Sequence, residues 1–293
     1  MANQINVAKQ DLSDFPKLPF GIRHNLMDNP LLSLDRLVAL AASMPRDSIE
    51  YNSGKVAIDQ NPETVPLVEM DPVEVVRRIR EANAWLVLKR VERDPAYAAL
   101  LKEVLDGFAR DLGHADAAAA GFTSIEGFVF VSSPNATTPF HSDPEDNFFV
   151  QIHGEKFFHI IDNQDGAVVS DADLEFAPSA HRNLSYKPEF EARARVFSMD
   201  AGDGCFVPYQ WPHWVRTGAN YSVSMAITWK STEVKRRNRL LFVNALLRKA
   251  GLPQPSPGRR PALDAVKIAA YTGLRAALEP LRRVQGLRTQ HGK

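Results

Sequence analysis

This chain predicts a β-rich core with helical segments on either side, the core reading as a sandwich, jelly roll or barrel. Three observations lead there. Between Phe122 and Lys230 lie five runs rich in β-branched and aromatic residues: IEGFVFVS, NFFVQIHGEKFFHII, ARVFSM, GCFVP and YSVSMAITWK. Pro, Gly, Asn and Asp separate them, as turns between antiparallel strands require. Before and after this region the apolar residues recur at helical spacing instead.

Taken in order, Asn29-Pro30 sets a capping side chain before a proline at the first helical position, and LLSLDRLVALAASM follows as far as Pro45. Asp71-Pro72 repeats that chemistry before VEVVRRIREAN. WLVLKRV, Trp85 to Val91, reads as a strand, and Asp94-Pro95 then opens a long amphipathic helix ending near Gly113. Residues 1–120 are thus expected to form a helix-rich segment, with a strand or two, packed on a core of residues 121–231. Residues 232–293 are expected to be a basic helical segment, with one helix from about Glu233 to Ala250 and another from about Ala262 to Val284. In the second, Leu263, Val266, Ala270, Leu274 and Leu278 make one apolar stripe, suited to packing on its own domain or to a homodimer.

Composition narrows the class. With 44% hydrophobic and 24% charged residues, the 293-residue chain has the profile of a soluble globular protein able to bury a core without cross-links. The single cysteine, Cys205, excludes an internal disulfide framework and any Cys-rich metal site. The first residues carry no apolar signal segment, and no run of eighteen apolar residues occurs, so the expected setting is the cytoplasm. Net charge is zero but uneven: Lys230 to Lys293 holds fifteen Lys and Arg against Glu233, Asp264 and Glu279. A solvated basic tail facing acidic surface is the simpler account, and nucleic-acid contact the sharper one.

The chemistry centres on TTPFHSDPEDNFFVQIHGEKFFHI, Thr137 to Ile160. His141 and Asp143 lie two apart, so on a strand or strand end both side chains leave from the same side. An imidazole and a carboxylate, joined by a distant second histidine, make the facial triad of non-haem Fe(II) oxygenases, with positions left open for co-substrate and O2. Alone, H-x-D is a weak signal and equally suits a surface turn. His213 is the candidate third ligand, 72 residues on and framed by Pro208 and Pro212; between Trp211 and Trp214 it also suits a histidine in an aromatic cluster. If Phe148 to Ile160 is one strand, alternation puts Phe148, Val150, Ile152, Gly154, Lys156, Phe158 and Ile160 on the barrel-facing side. A buried ammonium there needs an anion, from another strand or from a dicarboxylate whose other end chelates the metal. A salt bridge, or a register that turns Lys156 to solvent, would serve as well.

At these residues the sequence resembles the cupin-like JmjC oxygenases, particularly the asparaginyl hydroxylase of hypoxia-inducible factor. Thr138, Pro139, His141, Asp143, Asn147, Phe148, Phe149, Gln151, Ile152, Gly154 and Lys156 match in order and spacing. Gly202, Asp203, Pro208, Trp211, His213 and Trp229 match further on. The resemblance implies a double-stranded β-helix with Fe(II) held by His141, Asp143 and His213. It implies too that Lys156 and Thr138 hold the distal carboxylate of 2-oxoglutarate and that Asn147 lines the metal pocket. Ile227 stands where that hydroxylase has an asparagine, and its co-substrate tyrosine has no identified counterpart here. The implied activity is a 2-oxoglutarate-dependent dioxygenase hydroxylating a protein side chain or a small molecule. A cupin-type metalloprotein with other chemistry, or a non-catalytic regulatory protein of the same fold, are the alternatives.

Overall fold

The computed structural model describes residues 3–175, 183–273 and 275. Two short strands, β1 (Ile5–Asn6) and β2 (Phe20–His24), open the chain. Asn29 caps only a 3-10 turn, Pro30–Leu32; Ser33 then accepts from Arg36 N and starts α1 (Leu34–Ser43). The strand β3 (Ile49–Ser53) follows. Asp71 caps α2 (Pro72–Arg77), which stops well short of the helical run in the sequence. After β4 (Ala84–Lys89), Asp94 caps α3 (Pro95–Asp111). The segment before Phe122 therefore carries four strands as well as three α-helices, more β structure than its sequence suggests. In β2 and β3 it is the neighbouring strand that makes the structure, because both are short and strand preference depends on context.

The core strands are β5 (Thr123–Ser132), β6 (Thr137–His141), β7 (Asp146–His153) and β8 (Lys156–Ile161). After the short helix α4 (Asp171–Leu174) come β9 (Ala194–Met199), β10 (Asp203–Val207), β11 (His213–Thr217) and β12 (Ser222–Lys230). The helix α5 (Thr232–Lys249) follows at once, capped by Ser231. Strands β10, β7, β12 and β5 form the centre of one antiparallel sheet, and β6, β11, β8 and β9 form the other. The chain thus crosses repeatedly between two facing four-stranded sheets, the jelly-roll or double-stranded β-helix architecture. Strands β1 and β2 extend the first sheet beyond β10, and β4 and β3 extend it beyond β5.

The first sheet is buried on both faces. Leu86, Leu88, Val129, Val131, Phe148, Val150, Met225 and Ile227 pack behind it against Leu37, Val75, Leu101, Val104 and Phe108 of the N-terminal helices. Its other face meets the second sheet through Phe149, Phe158, Ile160, Val207, Val215 and Ala226. This corrects the expected strand face. The chain breaks between His153 and Lys156, at Gly154 (φ 73°), and its two halves join different sheets. Phe148, Val150 and Ile152 lie on the helix side, whereas Lys156, Phe158 and Ile160 face the barrel interior alongside Phe149. Residues 261–273 are helical, but Leu263 and Val266 of the expected stripe are exposed while Asp264 and Lys267 are buried. That face is polar inside because Lys267 donates to Asn244 Oδ1 of α5 (2.7 Å) and Gly258 N donates to Asp264 Oδ2 (2.8 Å). Ala270 is exposed; the side chain of Leu274, with Leu278, lies outside the described residues. Among the described residues no helix is long and apolar enough to cross a membrane.

Candidate functional site

His141 ends β6 and His213 begins β11, and the two are directly opposite in the antiparallel register. Sheet pairing alone therefore unites residues 72 apart in sequence. Their rings stand 4.2 Å apart between centroids. His141 Nδ1 is 2.7 Å from Pro139 O, and His213 Nδ1 is 2.9 Å from Trp211 O. A carbonyl can only accept, so each Nδ1 carries a proton, and the lone pair of the neutral ring is left on Nε2. Both Nε2 atoms turn toward Asp143: 3.9 Å from His141 to Oδ1 and 3.6 Å from His213 to Oδ2. Potential ligand atoms from all three residues lie within 4.8 Å of one another, a grouping that could hold a metal ion. Burial, and then the neighbouring His213, pull the pKa of His141 down to about 4, so it is neutral at pH 7, the form a ligand requires.

The triad opens into a pocket whose walls come from both sheets. Thr138, Asn147, Phe149, Lys156, Phe158 and Val215 line it, together with Phe128, Phe130, Ala226 and Thr228. Lys156 is buried, its ammonium bonded to Ser224 Oγ and set over the rings of Phe149 and Phe130, at 4.9 and 5.5 Å from their centroids. Among the described residues no carboxylate pairs with it. Burial pulls its pKa down to about 7. Asn147 is buried, and its Oδ1 has no hydrogen-bond partner among the described residues.

Sequence reasoning missed the far wall. Glu50 of β3 and Trp85, Val87 and Lys89 of β4 line the same pocket, where Lys89 pairs with Glu50. The Trp85 indole N–H is buried without a partner among the described residues. Only the period-two alternation of Trp85, Val87 and Lys89 hinted that they share a face, and nothing local showed that this face adjoins the H-x-D segment. Ser224 went unnoticed for the same reason. At the rim Glu145 is buried beside Asp143 and pairs with Lys230 at 3.0 Å; burial, then Asp143, push its pKa up.

Residues 37–234, more than half of the chain, match the model of the cupin-like domain. The chain belongs to the cupin-like domain family. No curated protein matches it. Among solved structures this cupin-like chain is similar to that of Escherichia coli ycfD, with 16% identity and a TM-score of 0.54, covering 93% of this chain and 68% of that one. It is also similar to YcfD described as a ribosomal oxygenase in complex with cobalt and 2-oxoglutarate: 14% identity, TM-score 0.50, 92% and 67% of the two chains. At such identity the likeness shows the fold. The cupin-like barrel brings two imidazoles and one carboxylate together, and that donor set fits a divalent first-row metal with sites to spare. The two Nδ1 contacts to backbone carbonyls are the outer-sphere bonds that orient such ligands.

Proposed function

We propose that this protein is an Fe(II)- and 2-oxoglutarate-dependent oxygenase that holds the metal through His141, Asp143 and His213. One observation carries the reading: three convergent side chains able to ligate a metal share a pocket with a buried lysine that no carboxylate among the described residues neutralises. Burying an ammonium without an anion costs on the order of several kcal/mol, so such a site favours a ligand that supplies one. A small dicarboxylic acid would suit it, one end toward the triad and the other on Lys156, with Thr138 and Asn147 lining the same pocket. Bound Fe(II) would supply activation of O2, coupled to oxidative decarboxylation of 2-oxoglutarate to succinate and CO2 and to transfer of one oxygen atom into a substrate C–H bond.

The chain's own residues bind and exclude. Ser224 holds the Lys156 ammonium in place, the rings of Phe130 and Phe149 keep water from it, and Phe158 stacks on His213 at 5.0 Å, fixing the imidazole plane. A protein side chain is the first substrate class to test, since a protein of this fold is described as a ribosomal oxygenase. The proposal places the protein in the cytoplasm. It includes a homodimer through the outward-facing Leu263 and Val266, which sedimentation of wild type beside Val266→Glu would test.

Anaerobic titration with Fe(II) and 2-oxoglutarate, followed by the weak visible charge-transfer band of the chelate, tests the central reading. The band is expected in wild type, absent in His141→Ala, and to need far more co-substrate in Lys156→Ala. Metal binding with no band would leave a cupin-type metalloprotein of other chemistry; no metal binding would end the oxygenase reading.

A further inference from the structure

The two loops that deliver metal ligands are tied together from outside the barrel. One, Ser142–Glu145, follows β6 and carries Asp143; the other, Pro208–Pro212, leads into His213. They touch through backbone where Gln210 N donates to Asp143 O (3.0 Å), and beside it Tyr209 N donates to the side-chain Oδ1 of Asp146, at the start of β7 (3.0 Å). Gln210 holds a positive φ of 60° while its side chain donates to Leu174 O (3.2 Å), so this loop is held in a conformation that costs energy. Asn238, in the second turn of α5, reaches both loops at once. Its Nδ2 donates to Pro144 O at 2.8 Å, and its Oδ1 accepts from the Tyr209 hydroxyl at 2.7 Å. Pro144 O can only accept, which fixes the orientation of the carboxamide. Burial keeps the Tyr209 hydroxyl protonated, hence a donor.

We propose that Asn238 is a positioning residue of the metal centre. It sets the separation of Asp143 from His213 by clamping their loops to each other, and so makes metal affinity depend on the seating of α5. A carboxamide is the group that gives one bond and takes the other at this reach. Aspartate keeps the acceptor but turns a carboxylate toward a carbonyl, and alanine loses both bonds. The Lys230–Glu145 pair ties the first loop to the end of β12, so the strand and helix that follow one another in sequence grip the same loop.

The inference rests on the triad being a metal site, and the test separates the two. Co(II) is titrated into full-length wild type, Asn238→Ala, Asn238→Asp and Tyr209→Phe, reading the dissociation constant and the visible ligand-field spectrum; thermal unfolding of the metal-free proteins runs alongside. Tyr209→Phe removes one hydroxyl and keeps the ring, so it serves if the Asn238 variants fold poorly. Loss of an outer-sphere support is expected to weaken binding by roughly ten- to a hundredfold in the Asn238 variants, and less in Tyr209→Phe. A role in packing alone would lower the unfolding temperature and leave the Co(II) constant of the folded protein within about threefold of wild type in all three variants; that result overturns the clamp. A wild type that binds no Co(II) overturns the triad reading, and the clamp with it.

Discussion

Lys156 shows how a single residue can set a pH window. Only its ammonium form can hold a carboxylate, and burial has drawn its pKa down to about 7. Affinity for 2-oxoglutarate is therefore expected to be full below about pH 7 and to fall above it, approaching tenfold per pH unit as protonation must be added to binding. His141, with its pKa near 4, stays neutral throughout that range, so its titration is not the source of the loss. Co-substrate titrations at fixed Fe(II) from pH 6 to 9 check this, and a flat profile would show that Lys156 is not the charged anchor. Lys156→Met removes the charge at near-constant length and is expected to weaken 2-oxoglutarate by roughly thirtyfold or more, about 2 kcal/mol at the least for a buried charge contact. Metal affinity in that variant should stay near wild type.

At the scale of elements, the break between β7 and β8 decides which side chains meet the metal pocket. Gly154 has a φ of 73°, and a Cβ placed there would lie 2.2 Å from the carbonyl oxygen of Tyr221. Backbone blocks the side chain, so Gly154→Ala has no easy relief. It is expected to cost about 2 kcal/mol or more, read as a lower urea midpoint at unchanged slope; a midpoint equal to wild type would mean that the Tyr221 turn shifts freely. The same glycine marks where the sequence stopped being legible. NFFVQIHGEKFFHI alternates without interruption, so nothing in its pattern reveals that two residues, Gly154 and Glu155, carry the chain to another sheet and reset the inward face. The capped helices were legible because Asp71-Pro72 and Asp94-Pro95 are local signals satisfied by local bonds, to Val73 N and Ala96 N. The triad was legible because His141-x-Asp143 is local, and His213, framed by Pro208 and Pro212, was a candidate third ligand that the resemblance then supported. Glu50, Lys89 and Trp85 were not, because their approach to the site depends on β4 pairing with β5, a contact between distant segments.

For the whole molecule, the first sheet divides the work of stability from that of chemistry, and two phenylalanines on opposite sides of it should reveal the division. Phe108 is fully buried behind the sheet, edge-on to Phe148 at 4.7 Å and to Phe15 at 5.1 Å. Phe108→Ala is expected to cost about 3–5 kcal/mol of unfolding free energy, the range for emptying an aromatic core position. Molecules that remain folded should bind Fe(II) and 2-oxoglutarate with wild-type affinity, because the sheet stands between the cavity and the pocket. Phe130, on the adjacent strand face within the pocket, is only partly buried and lies over Lys156. Phe130→Ala should cost less stability, since part of its surface already meets solvent. Its effect should fall on the lysine: water admitted beside the ammonium relieves the desolvation that depresses its pKa. The pH at which co-substrate affinity begins to fall is then expected to move upward from about 7 in Phe130→Ala and to stay put in Phe108→Ala. The same titrations across pH decide it, and a shift of equal size in both variants would mean that the two faces of the sheet are energetically one.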